Sequence, residues 1–267
     1  MKAKEKLTRD KVIETLANAL RPLGYVHAFY EGGAIAFGRV DEWSDIDLYL
    51  IVDEAKTSEA FLAVEEALKS VSPVKQKYEV AQLPWPGVSQ AFYKLENASE
   101  YLIIDLAVLK LDSPEKFLQS EIHGNSVFYF NKLDKLSIPP LDRDAFAEKI
   151  SERLKRLQAR FGMFGNFVQK EINRGNFLEA VDLYYTLVLG SLVEVLRMKH
   201  NPVHYDFRMR YVHYELPAEV VAKLERLYSV KNVRELQSKY YEASEWFRKA
   251  ASEVDRKKIE KQLAKKS

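Results

Sequence analysis

Gly32-Gly33-Ala34-Ile35-Ala36-Phe37-Gly38, resumed at Ser44-Asp45-Ile46-Asp47-Leu48-Tyr49-Leu50-Ile51-Val52, decides how the first half of this chain folds. The run over 45–52 is rich in branched apolar residues and reads as a central strand. The glycine pair breaks a preceding strand, expected over 25–31, because glycine reaches backbone conformations closed to other residues. A short helical turn through Ala36 and a polar loop from Gly38 to Ser44 join the two strands. Asp45 and Asp47 stand two apart, so their side chains leave the strand on one face and can share a cation. Burying both beside Ile46 and Leu48 is costly unless a cation compensates. The competing reading of the pair is a solvated strand end.

Upstream, Val12, Ile13, Leu16 and Leu20 mark an opening amphipathic helix that must end near Arg21-Pro22, since proline disfavours helical geometry in the residue before it. After the central strand, Phe61, Val64, Ala67 and Leu68 define a second helix over 57–70. Strands are expected over 74–83, 88–95 and 101–110, giving a mixed sheet with few helices. The last of these carries Asp105 in an otherwise apolar run broken besides only by Lys110. Asp105 is therefore either a structural ion pair or a third ligand on a strand next to Asp45 and Asp47. Three converging carboxylates can hold two divalent ions about 3.5 to 4 Å apart, the clamp for in-line displacement at phosphorus.

Beyond Pro139-Pro140 the period becomes helical. Phe146, Ile150, Leu154, Leu157, Phe161, Phe164, Val168 and Ile172 advance by three or four, predicting one long helix stopped at Gly175. Asn176 and Glu179 resemble a capping box. The next helix, to about Lys199, is apolar on nearly every side between Val181 and Leu196 and reads as the centre of a bundle. Asn201-Pro202 ends it, and further helices follow over 218–228 and 233–254. The fold class is thus α+β, with an N-terminal mixed-sheet domain over 1–140 and a C-terminal helical bundle over 141–267.

Composition narrows the chemistry. With no cysteine among 267 residues, a metal must be held by carboxylate or histidine, and oxygen ligands favour Mg2+ or Mn2+. A formal charge of +2, from 41 basic and 39 acidic residues, provides no global field for gripping nucleic acid, and DNA is not expected as a partner. Lysines and arginines concentrate from Arg256 to Lys266, which reads as a solvated helix end or, alternatively, an RNA contact. No run suits a membrane span, and the basic start (Lys2, Lys4, Lys6) leads into an amphipathic stretch without a signal-peptide core, so a cytoplasmic address is expected. His200 and His204 have zinc-helix spacing, but Pro202 between them should break the helix. His27, His123 and the tyrosines Tyr184, Tyr185, Tyr240 and Tyr241 read as structural. Asp182, Glu194 and Arg197 are polar groups on a greasy helix; they either bond to one another in the core or face a cleft that the polar and aromatic loop 201–208 borders.

The glycine pair, the spacer, Asp-x-Asp and a later strand aspartate together resemble the signature of the DNA polymerase β-type nucleotidyltransferase superfamily. The helical half more loosely resembles the small antibiotic-type members that modify aminoglycosides and lincosamides. The resemblance implies that Asp45 and Asp47 bind metal and triphosphate, and that Asp105 binds the catalytic metal and helps deprotonate the attacking hydroxyl. Gly32, Gly33, Ala34, Gly38, Arg39 and Ser44 would form the nucleotide-binding loop, Ala34 standing where many members carry serine. The 1–140 segment would be catalytic and 141–267 a substrate- and nucleotide-binding domain. The implied reaction transfers a nucleoside monophosphate from a nucleoside triphosphate to a hydroxyl of a small molecule, by a monomer or homodimer. The alternatives are the same chemistry on RNA or a protein side chain, and a non-catalytic nucleotide-binding module.

Overall fold

The computed structural model describes residues 7–133, 136, 138 and 140–264. Pro139, Lys2, Lys4, Lys6, Lys265 and Lys266, which figure in the expectations above, lie outside the described residues. The chain divides into two compact units, Met1–Pro140 and Leu141–Ser267.

The first unit is a six-stranded mixed sheet in the order β3-β4-β5-β2-β1-β6. Its strands are β1 (Val26–Glu31), β2 (Ile46–Val52), β3 (Val74–Glu79), β4 (Val88–Leu95), β5 (Ile104–Lys110) and β6 (Val127–Asn131). Only β2 and β5 run parallel; the other neighbours are antiparallel. Helices α1 (Arg9–Leu20) and α2 (Thr57–Val71) cover one face, where Val12, Leu16, Leu20, Val64 and Leu68 bury against Phe29, Leu48, Leu50, Leu106 and Val108. Thr8 starts α1 by accepting a hydrogen bond from the Lys11 amide. The two-residue period sends Asp47, Tyr49 and Ile51 to the opposite face, where Tyr30, Ile51 and Leu118 form a smaller cluster.

The third expected strand ends earlier, at Glu79. A short helix α3 (Ser120–His123) and β6 complete the sheet unit, and neither was expected.

The second unit is a helical bundle. The single long helix expected up to Gly175 is two, α4 (Arg143–Phe164) and α5 (Phe167–Arg174). Gly162 and Gly165 lower helix propensity where the chain turns, while Phe161 stays buried and stacked on Phe247. The capping box does not form either: Asn176 starts α6 (Phe177–Leu183) with no side-chain cap bond, because its amide donates to Glu171 Oε2 at 2.8 Å.

From α6 the chain passes through a π-helical stretch, Tyr184–Leu189, into α7 (Gly190–His200). The wider turn lets two consecutive residues reach one helix end. Tyr184 and Tyr185 donate to the Leu227 and Tyr228 carbonyls at 3.1 and 2.8 Å, the last carbonyls of α9 (Ala218–Tyr228), which have no partner inside the helix. Short α8 (Val212–Glu215), then α10 (Val233–Glu253) and α11 (Arg256–Ala264), complete the bundle. Basic α11 buries Ile259 and Leu263, and its Arg256 pairs with Glu148 and Glu260. Among the described residues no helix is long and apolar enough to cross a membrane.

Candidate active site

β1 and β2 are neighbours, and the Gly32 amide donates to the Asp47 carbonyl at 3.0 Å, so the glycine turn is tied to the strand that carries the acids. Gly33 has φ +61, and a Cβ there would lie 1.7 Å from Asp47 Oδ2. Glycine is therefore required twice, by its left-handed backbone and by the carboxylate packed against it. Gly33→Ala is expected to cost roughly 1–2 kcal/mol for the backbone alone. Asp47 must also move, so a denaturant melt should show the loss of stability and a Mn2+ titration should show weaker binding.

Asp47 and Asp105 are direct register partners on the parallel pair β2 and β5. Neighbouring strands lie about 4.8 Å apart, and partners in register present their side chains on the same face. Both residues are half-buried. Gln90, on β4, donates from Nε2 to Asp105 Oδ1 at 2.7 Å and fixes that carboxylate. Asp45 precedes β2 and is exposed. Asp47 and Asp105 are thus side by side, with Asp45 at the strand's mouth. Among the described residues no group of three or more His, Asp or Glu side chains is arranged closely enough to hold a metal ion.

The remaining loop residues fall into different roles. Ala34 opens the 3-10 turn Ile35–Phe37, and its carbonyl accepts from the Arg39 amide at 2.9 Å. Gly38 ends that turn at φ +65. The Arg39 guanidinium lies 5.1 Å from the centre of the Phe37 ring. Ser44 turns inward to its own loop: its hydroxyl donates to Asp41 Oδ1 at 2.8 Å and accepts from the Asp41 amide at 2.9 Å. That side chain shapes the approach to Asp45 and is engaged within the turn.

Three features escaped the sequence reading. Arg9, on α1, donates from Nη1 to the Asp45 carbonyl at 2.7 Å and is ion-paired with Glu31, whose side chain is buried and also accepts from the Tyr129 hydroxyl. Burial lowers the Arg9 pKa, while Tyr129, Asp47, Asp10 and Asp45 act to raise it. Arg9 therefore holds the Asp-x-Asp backbone from the helix-covered face of the sheet. Gly124, at φ +73, lets the chain pass so close to the 3-10 turn that a Cβ would sit 2.5 Å from the Ala36 carbonyl oxygen. Trp43 and Tyr101, 58% and 55% exposed, meet edge to face at 4.7 Å, just ahead of Asp45 and Asp105. A basic residue at a helix start and two exposed aromatics are too common in sequences to have marked any of these.

His27 Nε2 lies 2.6 Å from Asp53 Oδ1, and the His123 ring packs edge-on against Phe117. The helix ends at His200, before Pro202, and His204 instead faces Glu215. Asp182, Glu194 and Arg197 do not join one another. Asp182 is exposed, Glu194 takes both forks of Arg153 at 2.6 and 2.9 Å, and Arg197 pairs with Glu215 at 2.8 Å.

No family model and no curated protein matches the sequence. Among solved structures, the chain is similar to an aminoglycoside 6-adenyltransferase from Bacillus subtilis, at 15% identity and a TM-score of 0.34, over 97% of this chain and 92% of that one. It is also similar to a spectinomycin adenyltransferase from Enterococcus faecialis, solved with ATP and spectinomycin, at 14% identity and a TM-score of 0.38, over 90% of this chain and 100% of that one.

Proposed function

We propose that this chain is a metal-dependent nucleotidyltransferase of the DNA polymerase β type, which moves a nucleoside monophosphate from a nucleoside triphosphate to a hydroxyl of a small molecule. The observation that carries this reading is the register of Asp47 against Asp105 on a parallel strand pair, with side-chain-free Gly33 packed on the Asp47 carboxylate. Two acids adjacent on one sheet face repel each other, and a sequence keeps them together where a cation is to be held.

The donor set suits a hard cation. Mg2+ or Mn2+ would be held by Asp47 and Asp105, with Asp45 joining from the strand mouth, and would supply charge neutralisation for the phosphates. The Gly32-Gly33 backbone would admit the triphosphate closely, with Ala34, Gly38 and Arg39 around it. Asp105, held by Gln90, would accept the proton of the attacking hydroxyl. The acceptor oxygen forms its bond to the α-phosphorus as the bond to the bridging oxygen breaks, and pyrophosphate leaves. In this reading the 1–140 segment is catalytic, and 141–267 contributes to substrate and nucleotide binding.

Purified protein incubated with each labelled nucleoside triphosphate, Mg2+ and a panel of hydroxylated small molecules should release pyrophosphate and label one acceptor. An Asp45→Asn, Asp47→Asn double variant provides the background. Release by the wild type that never exceeds this background would remove the enzyme reading and leave nucleotide binding alone.

A further inference from the structure

Resting on the nucleotidyltransferase reading, we propose that the acceptor docks on the strip of sheet beyond Asp105, along β4 and β3. It is a hydroxylated compound with a planar aromatic ring and no cationic group. The sheet order decides the side of approach. The glycine turn leaves β1 and is bonded to β2 at Asp47, while Asp105 follows on β5, with β4 and β3 beyond it. In-line displacement places the incoming oxygen opposite the departing pyrophosphate. With the terminal phosphates over Gly32-Gly33, the departing group lies on the β1 side of the acids. The acceptor then enters from β5 and beyond, the side from which Asp105 can take its proton.

Strand register shows what an acceptor meets there. Phe92 of β4 is the direct partner of Asp105, and Tyr78 of β3 is the direct partner of Phe92. Partners in register share a face, so Asp47, Asp105, Phe92 and Tyr78 form one row across four strands. The alternate residues go to the other face, where Tyr93 is fully buried and its partner Lys77 pairs with Glu65 of α2 at 2.6 Å. Phe92 is half-buried and Tyr78 is 61% exposed on the edge strand, their rings centred 6.2 Å apart and tilted by 32°. At the usual strand spacing Phe92 stands roughly 5 Å past Asp105 and Tyr78 roughly 10 Å. One ring attached to the reacting hydroxyl spans that reach.

The rest of the strip indicates the acceptor's chemistry. On this face β3 and β4 also carry Gln76, Gln90 and Lys94, and no acid. The Gln90 amide is already engaged with Asp105. A sugar ring, with a hydroxyl on nearly every carbon, would therefore find few polar partners along the strip. A planar aromatic ring needs none and packs offset or edge-on against Phe92 and Tyr78. Lys94, two residues from Phe92, repels a cationic acceptor with no carboxylate on these strands to offset it, and attracts an anionic one.

The test is pyrophosphate release with Mg2+ and each nucleoside triphosphate, comparing 4-(hydroxymethyl)benzoate, benzyl alcohol, methyl glucoside and glucosamine as acceptors, with the product identified by mass. The two aryl alcohols should be used ahead of methyl glucoside, and glucosamine least of all. Tyr78→Ala should raise the KM for benzyl alcohol roughly tenfold, the scale of one lost aromatic contact with its buried area, and leave the KM for the triphosphate unchanged. Tyr78→Phe should behave as the wild type, because the ring is used and not its hydroxyl. Leu62→Ala, at an exposed position on α2 over the other face, provides the control. Lys94→Glu should reverse the preference for the benzoate over benzyl alcohol. Use of glucosamine ahead of the aryl alcohols, or an unchanged acceptor KM in both Tyr78→Ala and Phe92→Ala, would overturn the proposal and leave the reaction standing. Release with none of the four acceptors would overturn it as well. Slow hydrolysis of the triphosphate by water, compared with the Asp45→Asn, Asp47→Asn variant, then shows whether the nucleotidyltransferase reading falls with it.

Discussion

Asp47→Asn and Asp105→Asn should each reduce pyrophosphate release by at least about a thousandfold, the scale on which electrostatic stabilisation of a transition state is lost, yet leave a fully folded protein. Both acids face the same side of the sheet from partnered positions, so neutralising either removes repulsion in the metal-free protein. The amide is nearly the shape of the carboxylate and the strand is otherwise apolar, so β2 and β5 need not change. In EDTA either variant should melt cooperatively close to the wild type, the repulsion removed between the acids offsetting what each loses toward Arg9 or Gln90. With Mg2+ and a nonhydrolysable triphosphate the wild type should melt clearly above both, because only it gains stability by binding. A variant that lost activity only because it unfolded would melt lower under both conditions, which would count against a catalytic role for the acids.

The second large effect lies in the helical unit. Arg197→Ala should cost about 3–5 kcal/mol, since it strands the buried Glu215 charge that Arg197 and His204 now share. The double variant Arg197→Met, Glu215→Leu should recover much of that loss, because a buried ion pair is often replaceable by apolar groups of similar volume. The same cluster makes a pH prediction. Burial by itself raises the Glu215 pKa, but hydrogen bonds from His204 and Arg197 outweigh it and pull the carboxyl down to about 2. A folded-state value below the unfolded one means that Glu215 contributes stability above its unfolded pKa, near 4.3, and that this is lost as the pH falls from there to about 2. Acid unfolding midpoints for the wild type and the double variant should therefore diverge in that window, and a parallel acid limb would contradict the assignment.

How much of this was legible in the sequence depended on whether the signal was local. β2 and β5 were readable because branched apolar runs with a single acid are unusual over a few residues, and so the acids of the sheet could be named. Their register was not readable: Asp47 and Asp105 stand 58 residues apart in the chain, and nothing along it fixes which residue faces which. β6 escaped because it is short, and three of its five residues are exposed at a sheet edge. The break between α4 and α5 escaped because the three-to-four apolar spacing continues across Gly165, so periodicity outvoted the glycines. Asn176 looked like a cap by residue type, but Glu171, one turn earlier, offered its side chain a charged acceptor. Arg9 went unrecognised, and Arg197, singled out as a polar group on a greasy helix, was matched with Asp182 and Glu194 rather than Glu215, for one common reason. Each draws its meaning from backbone carbonyls and a carboxylate brought to it by folding, and a lone arginine in a helix carries no mark of that.

The pairing of Asp47 with Asp105 as a cation site is tested most directly by titrating Mn2+ calorimetrically into the wild type and into Asp105→Asn. The wild type should bind saturably and the variant at least tenfold more weakly, with the melting temperatures in EDTA showing both proteins folded. Equal Mn2+ affinity in the two would contradict it.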